Sequence, residues 1–299
     1  MIKILFLGCN HNQIPYLQEL SKRNYRIIGV DLNSNAPGKS YCHSFYNIGY
    51  DDNDGLLELG KKENFKSSDK VFTASAQFAY KGGAFFASCF KIPYPKEEVI
   101  DFCLDKVSYY KFFLKNDIPL PNTKFIKTKN ELISEFNNES VSKWFWLKSD
   151  FSKNPNYVYR MNCQSQVQDD IFWGNDRYLK NYYILQEEYP GISLRLNIYG
   201  DRFNVIDFAS SEYTKKYHEE IESFGVINKL KKLMEELKIQ NWLVKFDIIL
   251  NQEGYAVLDI GLDPPSRMKN KAINLGINFE KYYLDQYLDN KIHYPRTLD

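Results

Sequence analysis

The chain has 299 residues, 43% hydrophobic and 26% charged, with a formal net charge of +1, long enough for two domains or one large one with a substantial core. That near-neutral balance gives no electrostatic basis for a nucleic-acid or membrane partner. The cysteines Cys9, Cys42, Cys89, Cys103 and Cys163 form no CxxC pair and have no histidine at metal-ligand spacing, so reduced thiols in a cytoplasmic protein are the simplest account.

The opening run "MIKILFLGCN" has strand length, is too short to span a membrane and lacks a signal-peptide cleavage pattern. It is followed by helix-like "IPYLQELSKR" and strand-like "YRIIGVD", a βαβ opening that implies a parallel sheet with helices on its faces. Asp31 at the end of the second strand invites a dinucleotide reading. The turn "GCNHNQIP" lacks the second and third glycines which that reading needs, so an ordinary strand-end aspartate is preferred. His11 is the local basic partner available to Cys9 for nucleophilic chemistry, a weaker reading than a plain thiol.

"LLELGKKENF", "KVFTA" and "GGAFFASCF" continue the alternation, and the two prolines of "FKIPYPKEEV" mark a boundary near residue 95. A helix starting around Pro95 is expected to run through "DKVSYYKFFLKND" until Pro119 and Pro121 stop it. Strand-like "TKFIK", helix-like "KNELISEF" and strand-like "WFWLKS" follow, and the last third holds the charged helix "GVINKLKKLMEELK".

"WLVKFDIILNQEGYAVLDIGLDPPSR" reads as a hairpin whose apolar strands each carry one aspartate, Asp247 and Asp259. With Gln252, Glu253 and Gly254 as the loop, Asp247 lies opposite Asp259, roughly 4.5–5.5 Å apart at Cβ, where like charges destabilise a sheet. A two-residue loop would instead send the acids to opposite faces. Lys245 shares the parity of Asp247. Either the face is solvated, or a divalent cation compensates; Mg²⁺ favours carboxylate oxygens together with water and phosphate.

Three pieces in this order resemble the ATP-grasp superfamily: "DKVSYYKFFLKNDIPLPNT", then "FWLKSD" with "YILQEEYPGISLRLNIYG", then the two-acid hairpin. The opening ninety-odd residues look like the nucleotide-fold domain that precedes the grasp in such proteins. The resemblance implies an α/β fold with an N-terminal Rossmann-like parallel-sheet domain, residues 1–95. A two-subdomain α+β ATP-grasp would follow, its linker and small subdomain in 96–185 and its C-terminal subdomain in 186–299. It implies ATP and Mg²⁺ as cofactors and an ADP-forming carboxylate–amine ligase acting on small molecules through an acylphosphate, with a homodimer compatible.

By the same resemblance, Lys106 matches the family's first phosphate- or adenine-side lysine and Lys148 the second, and Gln186, Glu187, Glu188 and Tyr189 match the adenine hinge, with Glu187 the choice for the base's amino group. Ser193 stands at the ribose position, while Asp247 and Asp259 match the metal ligands. Arg267, aided by Arg195 and with Lys245 nearby on its strand, is implied at the reacting carboxylate. The loop after Lys148, "SDFSKNPNYVYR", has no glycine where the family's is glycine-rich, leaving Ser149, Ser152 and Lys153 as substitute donors. "DIGLDPPSR" puts Gly261 where the family has asparagine, with Asp263 and Arg267 as replacements for metal and phosphate contacts. Two other classes stay open: an ATP-binding regulatory protein with an eroded grasp, and a nicotinamide-dependent oxidoreductase built on the first βαβ unit.

Overall fold

The computed structural model describes residues 1–74, 78–137, 143–149, 158–162, 166, 182–199, 202–207, 212–213, 217–239, 242–262, 269 and 278–289. The chain divides into two compact units: Met1–Asp101 with Arg195–Lys245 and Gly261–Asp299, and Phe102–Leu194 with Phe246–Ile260. Among the described residues no helix is long and apolar enough to cross a membrane.

In the first unit, β1 (Ile2–Leu7), β2 (Tyr25–Val30), β3 (Ser44–Tyr46) and β4 (Lys70–Thr73) form a parallel sheet in the order β3-β2-β1-β4. The central strands are apolar at every position facing the core, as a sheet covered on both sides requires. Ile4, Phe6, Ile27 and Phe72 pack with Leu17 and Leu20 of α1 (Ile14–Ser21) and with Phe279 and Tyr283 of the helix Phe279–Asp289. Leu5, Leu7, Ile28 and Val71 pack on the other side against Leu56 and Leu59 of α2 (Asn53–Lys62) and Phe86 of α3 (Phe78–Phe90). Strand alternation alone assigns neighbouring residues of β1 to these two cores. Asp31 has a local task here: its carboxylate accepts from the Cys9 amide at 2.7 Å and the Asn33 amide at 2.9 Å, closing the turn after β1.

The helix Val226–Glu236, also in this unit, buries Val226, Ile227, Leu230, Leu233 and Met234 along one stripe, the spacing that amphipathic helices show. The strands Ile192–Tyr199 (β9), Arg202–Asp207 (β10) and Glu212–Tyr213 (β11) neighbour one another in that order.

The single helix expected from Pro95 onward is instead two, α4 (Glu97–Leu104) and α5 (Lys106–Lys115). Asp105 separates them with φ −96° and ψ 100°, and its carboxylate accepts from the Ser108 amide at 3.1 Å and the Ser108 hydroxyl at 2.8 Å. An aspartate that satisfies an orphan amide is a strong helix start, and here it overrides the continuing apolar pattern.

In the second unit, β5 (Thr123–Ile126), β6 (Phe145–Ser149), β7 (Val158–Met161) and β8 (Tyr183–Glu187) form an antiparallel sheet in the order β5-β8-β6-β7. Ile126, Phe145, Leu147, Met161, Tyr183 and Leu185 bury one face with Leu132 of α6 (Lys129–Asn137). The hairpin strands are β12 (Val244–Asn251) and β13 (Gly254–Gly261). Its turn is Gln252–Glu253, one residue shorter than expected. The Asn251 side chain accepts from the amides of Glu253 at 2.9 Å and Gly254 at 3.1 Å, an Asx closure that brings Gly254 into the strand. Gly254 has φ +153°, a backbone state that glycine adopts without the clash a Cβ brings.

Candidate functional site

With Phe145 and Leu147 on the core side of the antiparallel sheet, Trp146 and Lys148 take the opposite face, and the pairing of Trp146 with Gln186 puts Gln186 there too. Gln186 is 1% exposed. Its Oε1 accepts from Lys148 Nζ at 2.6 Å, with Tyr110 Oη 3.3 Å away, and its Nε2 donates to Thr123 Oγ1 at 3.0 Å. A buried amide needs this many partners to offset its desolvation. Thr123 in turn donates to the Pro121 carbonyl at 2.6 Å.

Loss of water around Lys148 pulls its ammonium down to about 8; the Asp259 charge pulls it back up, Lys106 pushes it further down, and Asp247 pulls it up. Lys106, at the first position of α5 behind the Asp105 cap, is itself buried. Two ammonium groups in one field repel unless negative charge lies among them.

The hairpin acids supply part of that charge. Tyr109 Oη donates to Asp259 Oδ1 at 2.8 Å, and Tyr110 Oη donates to the Leu258 carbonyl at 2.6 Å. Both phenols stand above their ordinary pKa, first through burial and then through the Asp259 charge; for Tyr110, Asp247 adds to it. Both carboxylates thus act on the same phenol and on the same ammonium, although the two-residue turn alone would have sent them apart. The Val257 amide donates to the Pro119 carbonyl at 2.8 Å, which ties β13 to the segment after α5.

Along the hinge stretch, the Glu187 amide donates to the Asn122 carbonyl at 2.9 Å and the Glu188 amide to the Trp144 carbonyl at 2.7 Å. The Glu187 carboxylate pairs with Lys143 at 2.9 Å and accepts from Asn122 at 3.3 Å; the Lys143 hydrogen bond leads in holding it below the usual carboxylate range. Glu188 takes both ends of the Arg160 guanidinium, at 3.1 and 2.7 Å, while that guanidinium stacks 4.1 Å from the Trp144 ring. Tyr189 is half-buried and Ser193 exposed. Gly191 holds φ +151°, and a Cβ there would lie 2.4 Å from the Leu250 carbonyl oxygen. Glycine is therefore required where the segment after β8 passes β12.

Of the residues singled out in the sequence, Lys106, Lys148, Gln186, Asp247 and Asp259 share one electrostatic neighbourhood in the second unit. Lys245 and Arg195 fall in the first unit and are half-buried. Ser152, Lys153, Asp263 and Arg267 lie outside the described residues. Missed in the sequence were Tyr109, Tyr110 and Thr123. The signal for the tyrosines was the adjacent pair in "VSYYKFF", since a buried tyrosine hydroxyl needs a partner. Thr123 carried none.

The donor set fits Mg²⁺ held with a polyphosphate. Two carboxylates offer hard oxygen ligands, and the remaining positions go to water and phosphate. Among the described residues no group of three or more His, Cys, Asp or Glu forms an all-protein cage. A lysine ammonium is a point charge of the kind that suits phosphate oxygens.

No family model matches the chain, and neither does any curated protein. Solved structures do match. N5-carboxyaminoimidazole synthetase from Staphylococcus aureus, complexed with ADP, is 12% identical with a TM-score of 0.71 over 98% of this chain and 78% of that one. L-amino acid ligase from Bacillus licheniformis is 13% identical with a TM-score of 0.70, covering 96% of this chain and 74% of that one. The biotin carboxylase domain dimer of the Hydrogenobacter thermophilus 2-oxoglutarate carboxylase, in complex with MgADP, ADP and bicarbonate, is 12% identical with a TM-score of 0.70. That match covers 97% of this chain and 70% of the other.

Proposed function

The chain has the ATP-grasp fold behind an N-terminal parallel-sheet domain, and from that premise we propose that it is an ATP-dependent carboxylate–amine ligase that releases ADP through an acylphosphate. The observation that carries the reading is the Lys148 ammonium, stripped of water, in the shared field of Lys106, Asp247 and Asp259. Burying an ammonium costs free energy that nearby negative charge offsets, and a bound phosphate adds such charge.

In this reading residues 1–95 form the preceding domain, and 96–185 and 186–299 supply the two halves of the nucleotide site. Lys106 and Lys148 hold phosphate oxygens, and Gln186 keeps the Lys148 ammonium aimed by accepting from it. Asp247 and Asp259 hold Mg²⁺, with Asp263 as the third acid in sequence. When bound, the metal neutralises charge on the phosphates during transfer. Tyr109, protonated by its burial, fixes the Asp259 carboxylate by hydrogen bond. Glu187, Glu188, Tyr189 and Ser193 line the nucleoside side, with Ser152 on the loop next to the phosphates. Arg267, with Arg195 and Lys245, orients the substrate carboxylate. Positioning and charge stabilisation supply the rate, with no covalent protein nucleophile.

Small-molecule acid and amine substrates are taken from the same resemblance, and two of the matched proteins support them: an amino-acid ligase and a carboxylase with bicarbonate. The test is ADP release across a panel of carboxylates crossed with amines. Release that depends on both partners and is lost in Asp259→Ala supports the ligase. ATP binding without release from any pair favours the second reading, a regulatory nucleotide binder, which the glycine-free loop after Lys148 motivates.

A further inference from the structure

Outside the proposed nucleotide site, the first unit places two thiols side by side. Cys9 lies just after β1 and is fully buried; Cys42 follows the 3-10 turn Pro37–Tyr41 and is half-buried. A Cβ on Gly29 would lie 2.4 Å from Cys42 Sγ and 3.0 Å from Cys9 Sγ. Both sulfurs therefore occupy the space over the one strand residue that has no side chain, the close approach that a strand glycine permits.

The surrounding backbone is already tied at this point. The Gly38 amide donates to the Cys9 carbonyl at 2.7 Å, and the Cys9 amide to Asp31 at 2.7 Å. Cys9 Sγ lies 3.9 Å from the Val30 carbonyl and Cys42 Sγ 3.6 Å from that of Gly38. Nothing in the proposed ligase chemistry uses either sulfur.

We propose that Cys9 and Cys42 form a thiol–disulfide exchange site, which takes a low-molecular-weight disulfide as its oxidant and closes to a Cys9–Cys42 disulfide. Cys42, the less buried residue of the two, attacks first. Its thiolate, having lost its proton to water, bonds to one sulfur of the external disulfide; that S–S bond breaks and one thiolate leaves. Cys9 then attacks Cys42 Sγ, passes its proton to the second leaving thiolate and releases it. Two cysteine thiols lose two electrons and two protons, and one external disulfide becomes two thiols.

The ionisation of the pair agrees with that order. Its neighbour Cys9 holds the Cys42 thiol below its usual range, while Cys42 together with burial holds Cys9 above it. Asp31 is the charged group acting on Cys9, and it too favours the protonated thiol.

The test uses the full reduced chain incubated with oxidised glutathione, then alkylated and digested without reduction. The expected product is a linked Cys9–Cys42 peptide, an intact mass lower by two hydrogens at that pair, and no glutathione on either residue; dithiothreitol reverses it. Exposed Cys89 reports general thiol reactivity in the same sample. In Cys9→Ser, glutathione is expected to accumulate on Cys42, because the resolving thiol is gone. Glutathione retained on Cys42 in the wild-type chain would overturn the proposal. So would an unlinked pair in a sample whose Cys89 has reacted, or a link that forms only in urea. The wild-type map decides the matter even where a variant fails to fold.

Discussion

Replacing Lys148 with methionine separates what this residue does for stability from what it does for binding. Lowering an ammonium from 10.5 to about 8 corresponds to about 3 kcal/mol against the charged form, since each tenfold change in proton affinity is ~1.4 kcal/mol. Methionine removes that cost and keeps most of the apolar stem. Gln186 Oε1 loses the Lys148 donor, and the Tyr110 hydroxyl 3.3 Å away turns to it only by leaving the Leu258 carbonyl, so the lost hydrogen bond costs about 1 kcal/mol.

Lys148→Met should therefore stabilise the ligand-free protein by about 2 kcal/mol at pH 7. The sign with pH follows from linkage. Between pH 8 and 10.5 the unfolded chain holds a proton that the folded one has released, so wild-type stability rises with pH and the advantage of the variant shrinks. Urea denaturation of both proteins at about pH 7, 8, 9 and 10 reads this directly. The same variant should bind Mg-nucleotide ten- to a hundredfold more weakly, as loss of a charge-assisted contact of about 1.5–3 kcal/mol implies. A variant that is less stable at pH 7, by an amount that stays flat as the pH is raised, would refute the desolvated ammonium.

Gln186→Leu leaves the Lys148 ammonium without its 2.6 Å acceptor and should destabilise by about 2–3 kcal/mol at pH 7, measured in the same denaturation series. Tyr109→Phe removes the bond to Asp259. It should cost about 1 kcal/mol of stability and weaken Mn²⁺ binding in titrations that use Mn²⁺ as a paramagnetic stand-in for Mg²⁺. Asp105→Ala removes the cap of α5 and should lower stability by about 0.5–2 kcal/mol, whereas Asp105→Ser should recover most of it.

How far the sequence could be read depended on whether one strand or helix carried the whole signal. The βαβ opening was legible because β1 and β2 are apolar on both faces, and a continuous apolar run of strand length between turn residues fits a strand covered on both sides. That Lys106, Lys148, Asp247 and Asp259 share one neighbourhood agrees with their order along the chain, although none is distinctive alone. The Asp105 break was not, since an aspartate inside an apolar pattern reads equally as a solvated helix position until its carboxylate is seen on the Ser108 amide. β3 also escaped notice, because all three of its residues are half-buried and so show no alternation. The hairpin turn was misjudged by one residue: Gln252-Glu253-Gly254 reads as a three-residue loop unless the Asn251 side chain is known to close it. Gln186 drew attention as a hinge residue, yet its hold on Lys148 depends on a cross-strand diagonal that only the pairing of β6 with β8 reveals.

Asp247, Asp259 and Lys148 are proposed to make one seat for a metal-bound nucleotide, and calorimetric titration of MgADP into the wild-type chain and into Asp259→Asn probes that seat without intermediaries. Saturable wild-type binding that requires Mg²⁺ is expected, with at least a tenfold loss in the variant while circular dichroism shows its fold intact. Equal affinity in the two proteins, or binding indifferent to Mg²⁺, would contradict the shared seat.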